Sequence, residues 1–309
     1  MKKGNSMLIL LLIMLLVAGC SNEVVKTDIE VEPVVEESMY PMTLTDSYDR
    51  EITIESEPMR VVSMAPSISE TIYYLDAFEK LVGRTEYCDF PEKIQGIDTA
   101  GSLMEPNIEK IVDLNPDIVI ASTHFPKDAV ETLEGLGIKV AVFVPEESFD
   151  GVYDTITVVG KVLDKETEAK EQVEAMKQMV DEVASRVKEL EKKTVYYAIG
   201  FGEYGDYTAG GDTFISEMIE LAGGENIASD VSGWSYSLEK IIDNDPEVVV
   251  ISKYYGMKES FEAAEGYKEL EAVKNGKLIA IDNNKIDRQG PRLAEGLLEL
   301  AKAIHGDDY

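Results

Sequence analysis

Two stretches of this sequence are close copies of each other: Asn-Ile-Glu-Lys-Ile-Val-Asp-Leu-Asn-Pro-Asp at 107–117 and Ser-Leu-Glu-Lys-Ile-Ile-Asp-Asn-Asp-Pro-Glu at 237–247. In each copy an Asn or Ser opens a short helix, as N-cap residues do, and a proline ends it. An apolar run follows at 118–122 in the first copy and at 248–252 in the second. The offset is 130 residues throughout, from 107 to 237 and from 117 to 247. The repeat predicts two similar lobes with the same helix–strand unit at equivalent places.

Short β-branched runs alternate with helical stretches on both sides of this repeat, which is the pattern of parallel α/β sheets. The first series of predicted strands is 61–65, 81–85, 118–122 and 140–144, and the second is 195–200, 248–252 and 278–281. Before them, residues 42–54 alternate like a small hairpin that turns at 46–49. The predicted fold class is therefore α/β, with two lobes that each contain a mostly parallel sheet flanked by helices.

One long helix is predicted between the two series, over 164–193. Its apolar residues recur every three or four positions: Ala169, Val173, Met176, Val180, Val183, Val187 and Leu190. At 1.5 Å per residue such a helix reaches about 40 Å, enough to bridge two lobes. We therefore divide the chain into an N-terminal lobe at 41–160, a rigid bridging helix segment at 161–193 and a C-terminal lobe at 194–309. A coiled-coil dimer is the alternative, although alanine and valine suit packing on a sheet better.

Composition excludes several classes of function. The 309 residues contain 60 Asp and Glu against 29 Lys and Arg, a formal net charge of −31. Binding to nucleic acid or to anionic lipid head groups needs clustered basic residues, so neither is expected. With two histidines and two cysteines in the chain, a zinc cluster and a disulfide scaffold are also excluded. We predict no metal site formed by the protein itself and no catalytic cofactor.

The N-terminus predicts the compartment. Lys2 and Lys3 precede an apolar run at 7–18, which is shorter than the roughly 20 residues that span a bilayer. Residues 17–20, Val-Ala-Gly-Cys, resemble a bacterial lipobox, which implies a lipoprotein signal peptide at 1–19 and a lipid on Cys20. An ordinary secretory signal is the alternative. The acidic stretch at 20–40 is predicted to be a disordered tether, so the protein is expected outside the cytoplasm and anchored to the cell membrane.

Over residues 42–305 the chain resembles the substrate-binding proteins of ABC importers for vitamin B12 and iron–siderophore complexes, the helical-backbone class III binding proteins. The landmarks are 60–67 with Glu70, 87–91, both copies of the repeat, 221–227 and 290–293. Each landmark is weak alone, but their order and spacing are specific. The resemblance implies a ligand in the cleft between two lobes, no catalysis, and delivery by a monomer to an ABC permease dimer with cytoplasmic ATPases.

The resemblance also implies a role for Glu109 and Glu239, the glutamates of the repeat. In this class one glutamate on each lobe pairs with arginines of the permease. Two carboxylates on a rigid body would set register on a two-fold transporter more than they add affinity. The alternative is that both are ordinary solvated acids on helices and that the repeat records duplication alone.

Candidate ligand-binding residues come from the loops after the strands, because ligands of α/β layers meet the carboxyl ends of strands. A flat or apolar chelate needs aromatic walls and a few polar anchors. The candidates are Tyr87, Phe90, Tyr204, Tyr207, Trp234, Tyr254, Arg288 and Arg292. Trp234, the single tryptophan, is the strongest, and each tyrosine could equally be a packing residue. Ser67 and Glu70 match a capping box at a helix start.

The sequence leaves the identity of the chelate open. Residues 87–91 and Trp234 resemble the vitamin B12 branch, so a corrinoid such as cobalamin is slightly favoured. Arg84, Lys253, Arg288 and Arg292 would suit an anionic ferric siderophore. Haem ranks third because axial ligands are few, with His124 as the candidate.

Two features resemble enzyme motifs. Residues 200–205 match G-x-G-x-x-G after a strand, but Glu203 and Asp206 would face the phosphate and the next helix begins near 212, so a turn is predicted. An extracytoplasmic α/β hydrolase is the competing class of function, yet the sequence contains no G-x-S-x-G. Cys88 with His124 as base is a weak nucleophile candidate, and a buried or cleft-lining thiol is favoured.

Overall fold

The computed structural model describes residues 39–203 and 205–309. The predicted signal peptide, Cys20 and most of the predicted tether lie outside the described residues. The chain enters the described region through the predicted hairpin, strands β1 (Met42–Thr45) and β2 (Glu51–Ile54), which pair antiparallel. Within the described residues, no helix combines the length and the apolar character needed to cross a bilayer.

The N-terminal sheet is parallel and contains four strands in the order β4-β3-β5-β6. Its strands are β3 (Val61–Ser63), β4 (Leu81–Arg84), β5 (Ile118–Ala121) and β6 (Lys139–Val142). The helices of this part are α1 (Pro66–Tyr74), α2 (Ile108–Asp113), α3 (Lys127–Gly135) and α4 (Phe149–Val162). Strand β5 is buried along its whole length, which explains its continuous apolar sequence.

The C-terminal sheet repeats this plan with the order β9-β7-β11-β12, again all parallel. Its strands are β7 (Lys193–Ala198), β9 (Gly224–Asn226), β11 (Val248–Ser252) and β12 (Leu278–Ile281), and a short antiparallel pair is formed by β8 (Asp206–Tyr207) and β10 (Ser235–Tyr236). The helices are α6 (Phe214–Leu221), α7 (Leu238–Asn244), α8 (Met257–Ala263), α9 (Glu271–Lys274), α10 (Asn284–Asp287) and α11 (Leu293–His305). The predicted fold class is confirmed.

The sequence repeat corresponds to a repeated set of backbone contacts. The side chains of Asn107 and Ser237 cap helices α2 and α7 by accepting hydrogen bonds from the backbone N–H groups of Lys110 and Lys240. The acids that end the copies also act alike, since Asp117 accepts a hydrogen bond from the Arg60 N–H before β3, and Glu247 accepts one from the Thr194 N–H in β7. These bonds give the first and last residues of each copy a structural role, and Ile111 and Ile241 are buried, whereas Glu109 and Glu239 are exposed.

The long helix is α5 (Glu166–Val187), with 22 residues and a length of about 33 Å. It is shorter than the predicted span because the chain must turn before β7 begins at 193, and Leu190 already forms a turn bond to the carbonyl of Val187. The buried side of α5 carries Ala169, Met176, Val183 and Val187. It packs on α4 and α11 of the same chain, so the stripe is not free to form a coiled coil.

One hydrophobic cluster continues from the N-terminal sheet through α4, α5 and α11 into the C-terminal sheet. It joins, for example, Ile118 of β5, Met176 of α5 and Val250 of β11, all buried. Moving the sheets apart would expose this cluster to water, which is unfavourable for apolar surface. The packing therefore disfavours large movements of one sheet relative to the other.

Candidate functional site

A cavity of about 670 Å³ lies between the two sheets and is lined from both sides. The N-terminal part contributes residues 65–67, 103, 122–124 and 144–147, and the C-terminal part contributes 199, 214–215, 234 and 286–289. Several of these segments follow directly on the last residues of β3, β5, β6 and β7. The cavity therefore opens at the carboxyl ends of the strands, where the sequence placed the cleft.

Trp234 lines the cavity on a loop that is held in place by hydrogen bonds. Its side chain is 47% exposed. The Trp234 carbonyl accepts a hydrogen bond from the Thr208 N–H at 2.9 Å. Asp212 accepts hydrogen bonds from the Ser232 hydroxyl and from the Gly233 N–H, and these bonds lower the pKa of the Asp212 carboxyl. Because hydrogen bonds fix this loop, the exposed indole is well placed to contact an apolar ligand.

Glu70 lies at the centre of an ion-pair network that joins the two lobes. It is 1% exposed, and it accepts hydrogen bonds from Arg292 Nε at 2.8 Å, Arg292 Nη2 at 2.6 Å and Arg288 Nη1 at 2.9 Å. The capping-box prediction for Ser67 and Glu70 is therefore wrong. Helix α1 has Ala65 as its N-cap and Pro66 in its first turn, where a missing N–H costs nothing. Charge-assisted bonds to two guanidinium groups are stronger than a cap bond.

Asp89 extends this network toward solvent. Its carboxylate accepts a hydrogen bond from Arg288 Nη1 at 2.6 Å and one from the Asn284 side chain at 3.3 Å. Arg288 Nη2 also donates to the carbonyl of Tyr87 at 3.3 Å. Burial would lower the pKa of Arg288, but the hydrogen bonds to Asp89 and Glu70 hold it above its ordinary value. The guanidinium is thus a permanently charged group with two carboxylate partners.

Of the predicted ligand-binding residues, the structure places Trp234 and Arg288 on the cavity wall. Phe90 instead packs among aromatic rings, stacked on Tyr74 at 6.2 Å, with the Arg292 guanidinium 4.2 Å above its ring. Arg292 itself is buried against Glu70. These side chains form the contact between the lobes beside the cavity.

The three predicted tyrosines that the structure describes do not line the cavity. Tyr87 is exposed at the edge of the ion-pair network. Tyr207 packs on Gly200 next to β10, and Tyr254 donates a hydrogen bond to Asp282 at 2.9 Å. Tyr204 lies outside the described residues. The roles of these residues in ligand binding stay predictions.

Several lining residues were not selected from the sequence. Glu146 and Glu147 follow β6, so their place at a strand end points to the cleft, but they are neither aromatic nor basic. Phe214 and Ile215 begin helix α6, where they have the pattern of core residues. Asp287 carries a pKa raised by burial, although hydrogen bonds from Asn283 and Tyr197 oppose that shift.

His124 lines the cavity just after β5, with a left-handed backbone at φ 68°. Its neighbour Phe125 is buried in the core. Cys88 is buried as well, and its thiol shares hydrogen bonds with the hydroxyls of Ser69 at 3.1 Å and Thr85 at 3.3 Å. Burial raises the pKa of this thiol, which disfavours the thiolate that nucleophilic catalysis requires.

In the glycine-rich segment between β7 and β8, the Gly205 N–H donates a hydrogen bond to the carbonyl of Gly202. Gly202 and Gly205 both have positive φ, which favours glycine. Helix α6 begins later, at Phe214. The glycines therefore do not open a helix, as a dinucleotide site would require.

The repeated glutamates occupy matching, exposed positions in the first turns of α2 and α7. The lysine after each one is paired within its own lobe, Lys110 with Asp98 at 3.3 Å and Lys240 with Asp230 at 3.0 Å. Glu109 and Glu239 thus keep their charge available, since neither is part of an ion pair found among the described residues.

Comparison with known proteins is consistent with this architecture. A family model described as periplasmic binding protein matches residues 61–285. The "Uncharacterized ABC transporter substrate-binding lipoprotein YvrC" of Bacillus subtilis is 31% identical, covering 100% of this chain and 99% of its own. A cobalamin-binding protein of Halobacterium salinarum is 31% identical, covering 86% of this chain and 74% of its own.

Among solved structures, a possible iron-binding (periplasmic solute-binding) protein from Staphylococcus epidermidis superposes with a TM-score of 0.71 at 30% identity. The alignment covers 81% of this chain and 100% of that one.

Proposed function

The chain belongs to the periplasmic binding protein family, and from that premise we propose that it captures a metal chelate between its lobes and delivers it to an ABC importer. The observation that carries this proposal is the cavity of about 670 Å³, which both lobes line and which the exposed Trp234 faces. Its size lies in the range of small-molecule sites, roughly 300–1,000 Å³. The protein acts as a receptor without catalysis.

A corrinoid is the proposed ligand, ahead of a ferric siderophore and of haem. The relative from Halobacterium salinarum that is named a cobalamin-binding protein supports this order. The possible iron-binding protein from Staphylococcus epidermidis supports the siderophore as second candidate. His124 on the cavity wall is the residue that an axially ligated haem would use.

Calorimetric titration of the mature lipoprotein in detergent tests the function directly, with cyanocobalamin, ferric siderophores and haemin as ligands. One-to-one binding of cyanocobalamin alone supports the corrinoid receptor. Binding of a siderophore or haemin alone keeps the receptor and replaces its ligand. Chemical alteration of a bound chelate would favour the competing hydrolase instead.

The N-terminal and domain assignments complete the proposal. Cys20 carries the lipid after removal of 1–19, residues 20–40 tether the protein outside the cytoplasm, and the lobes at 41–160 and 194–309 are bridged by 161–193. The relative named a substrate-binding lipoprotein supports the anchor. Incorporation of labelled fatty acid, abolished by Cys20→Ser, tests it. The lipid alone attaches the monomer to the membrane.

Docking on the permease dimer is assigned to Glu109 and Glu239. Their equivalent positions on two similar lobes suit a partner with two similar basic sites. Next to them, Val112 and Ile242 are exposed at repeat-equivalent positions of α2 and α7. Each contact with the permease would therefore combine a carboxylate with an apolar side chain, and protein–protein interfaces commonly contain both polar and apolar contacts.

Replacing Trp234 by alanine should weaken binding of the chelate by about 10- to 100-fold, because exposed tryptophans at binding sites often dominate the affinity. Calorimetry of the variant measures the loss. Tyr255→Ala is the matched control, since Tyr255 is 99% exposed and lies outside the cavity lining. Equal affinities of the Trp234→Ala variant and the parent protein would remove the indole from the site.

A further inference from the structure

The cations that the sequence offered as anchors for an anionic ligand are all engaged by the protein itself. Arg84 is buried and donates to the backbone carbonyls of Ile94, Thr85 and Cys88 and to the Gln95 side chain. Lys253 pairs with Asp282 at 3.1 Å. Arg288 and Arg292 share Glu70.

Arg288 is the member of this group that reaches the cavity wall. Its Nη1 lies 2.9 Å from the Glu70 carboxylate and 2.6 Å from the Asp89 carboxylate. Arg292, deeper in the contact, binds both oxygens of Glu70. Two guanidinium groups thus face two carboxylates, and the network as a whole carries no net charge.

The remaining charged groups on the cavity wall are acidic. Glu146 and Glu147 line the cavity and are exposed, and Asp287 lines it with a carboxylate that already accepts hydrogen bonds from Tyr197 and Asn283. They belong to a chain with a formal net charge of −31. A negative potential in a cleft repels anions and attracts neutral ligands that donate hydrogen bonds. Carboxylates on the wall can accept such bonds from amide N–H groups.

We propose that Glu70 and Asp89 determine the charge selectivity of the cleft. They are positioning residues, because their carboxylates neutralise the positive charge of the Arg288 guanidinium. The cavity therefore offers no free positive charge and binds chelates without net negative charge. This inference rests on the proposed function and specifies its ligand: an uncharged chelate rich in amide donors rather than a polyanionic one. The specificity of the cleft arises because anionic chelates are disfavoured, and not only because neutral chelates are bound.

Two matched ligand pairs test the proposal on the mature lipoprotein in detergent. The first pair is cyanocobalamin and its derivative with side-chain amides hydrolysed to carboxylates. The second is an uncharged ferric trihydroxamate and a trianionic ferric tris-catecholate. In the pair that binds, we expect the neutral member to bind at least tenfold tighter than the anionic one.

Asp89→Asn should raise the affinity for the anionic member about tenfold, the size expected for one unit charge acting on a polyanion across several ångströms of aqueous medium. The affinity for the neutral member should change by less than about threefold. Asp98→Asn is the matched control, because Asp98 is an exposed, ion-paired carboxylate that pairs with Lys110 and does not line the cavity. Glu70→Gln should shift the ratio further in the same direction, in any preparation that remains folded.

The ratio of the two affinities separates this role from a purely structural one, which would change both alike. Equal binding of neutral and anionic members by the parent protein would overturn the proposal. So would an unchanged ratio in Asp89→Asn. Failure of every chelate to bind would defeat the proposed function itself and the selectivity with it.

Discussion

The double variant Glu109→Lys/Glu239→Lys is expected to abolish uptake of the chelate while its affinity for the chelate stays at the parent value. Both carboxylates are exposed on the first turns of α2 and α7, away from the cavity lining. Placing two lysines against basic sites of a permease would replace attraction by repulsion, which costs several kcal/mol at an interface. Uptake by cells or proteoliposomes and calorimetry on the same protein measure the two quantities.

The single variants should retain part of the uptake, since one lobe can still dock. A double reversal at Glu171 and Glu189 on and after α5 is the matched control, because it changes the net charge equally at exposed positions. Normal uptake by the Glu109→Lys/Glu239→Lys protein would remove these residues from docking. Lost chelate affinity would place them in ligand binding or in folding instead.

Glu70→Gln is expected to lower the free energy of unfolding by about 3–5 kcal/mol, the range for removing one partner of a buried ion pair. The substitution leaves the buried Arg292 and the largely buried Arg288 without their shared carboxylate. Because Glu70 belongs to α1 and the arginines precede α11, the loss should fall on the contact between the lobes. Urea unfolding followed by circular dichroism measures it.

Two further variants make this prediction specific. Asp89→Asn removes a half-exposed partner of Arg288 and should cost at most about 1 kcal/mol. Glu70→Gln/Arg292→Gln should recover part of the loss, because it removes the unpaired charge as well as its partner. If Glu70→Gln lowers the free energy of unfolding no more than Asp89→Asn does, the buried Glu70 carboxylate is not central to the stability of the protein.

Local sequence patterns predicted much of the fold. The repeat at 107–117 and 237–247 predicted two caps, two helices and two strands, and the structure contains each of them. Strand β9 was missed because Gly224-Glu225-Asn226 has no apolar run and lies at the edge of its sheet. The long helix was predicted at the correct place, but the predicted span is longer than the observed helix, because an apolar periodicity does not show where the chain must turn.

For the candidate site, the sequence predicted the position of the cleft but not the ion pairs beside it. Strand order and local composition predicted that the cleft lies at the carboxyl ends of the strands and that Trp234 lines it. The pairing of the charged side chains, in contrast, became apparent from the packing of the two lobes. Ser67 and Glu70 carry a local capping signal, yet Glu70 binds arginines 218 and 222 positions away. Which charged side chains pair depends on how the lobes pack, and a local sequence pattern does not encode contacts between residues so far apart in the chain.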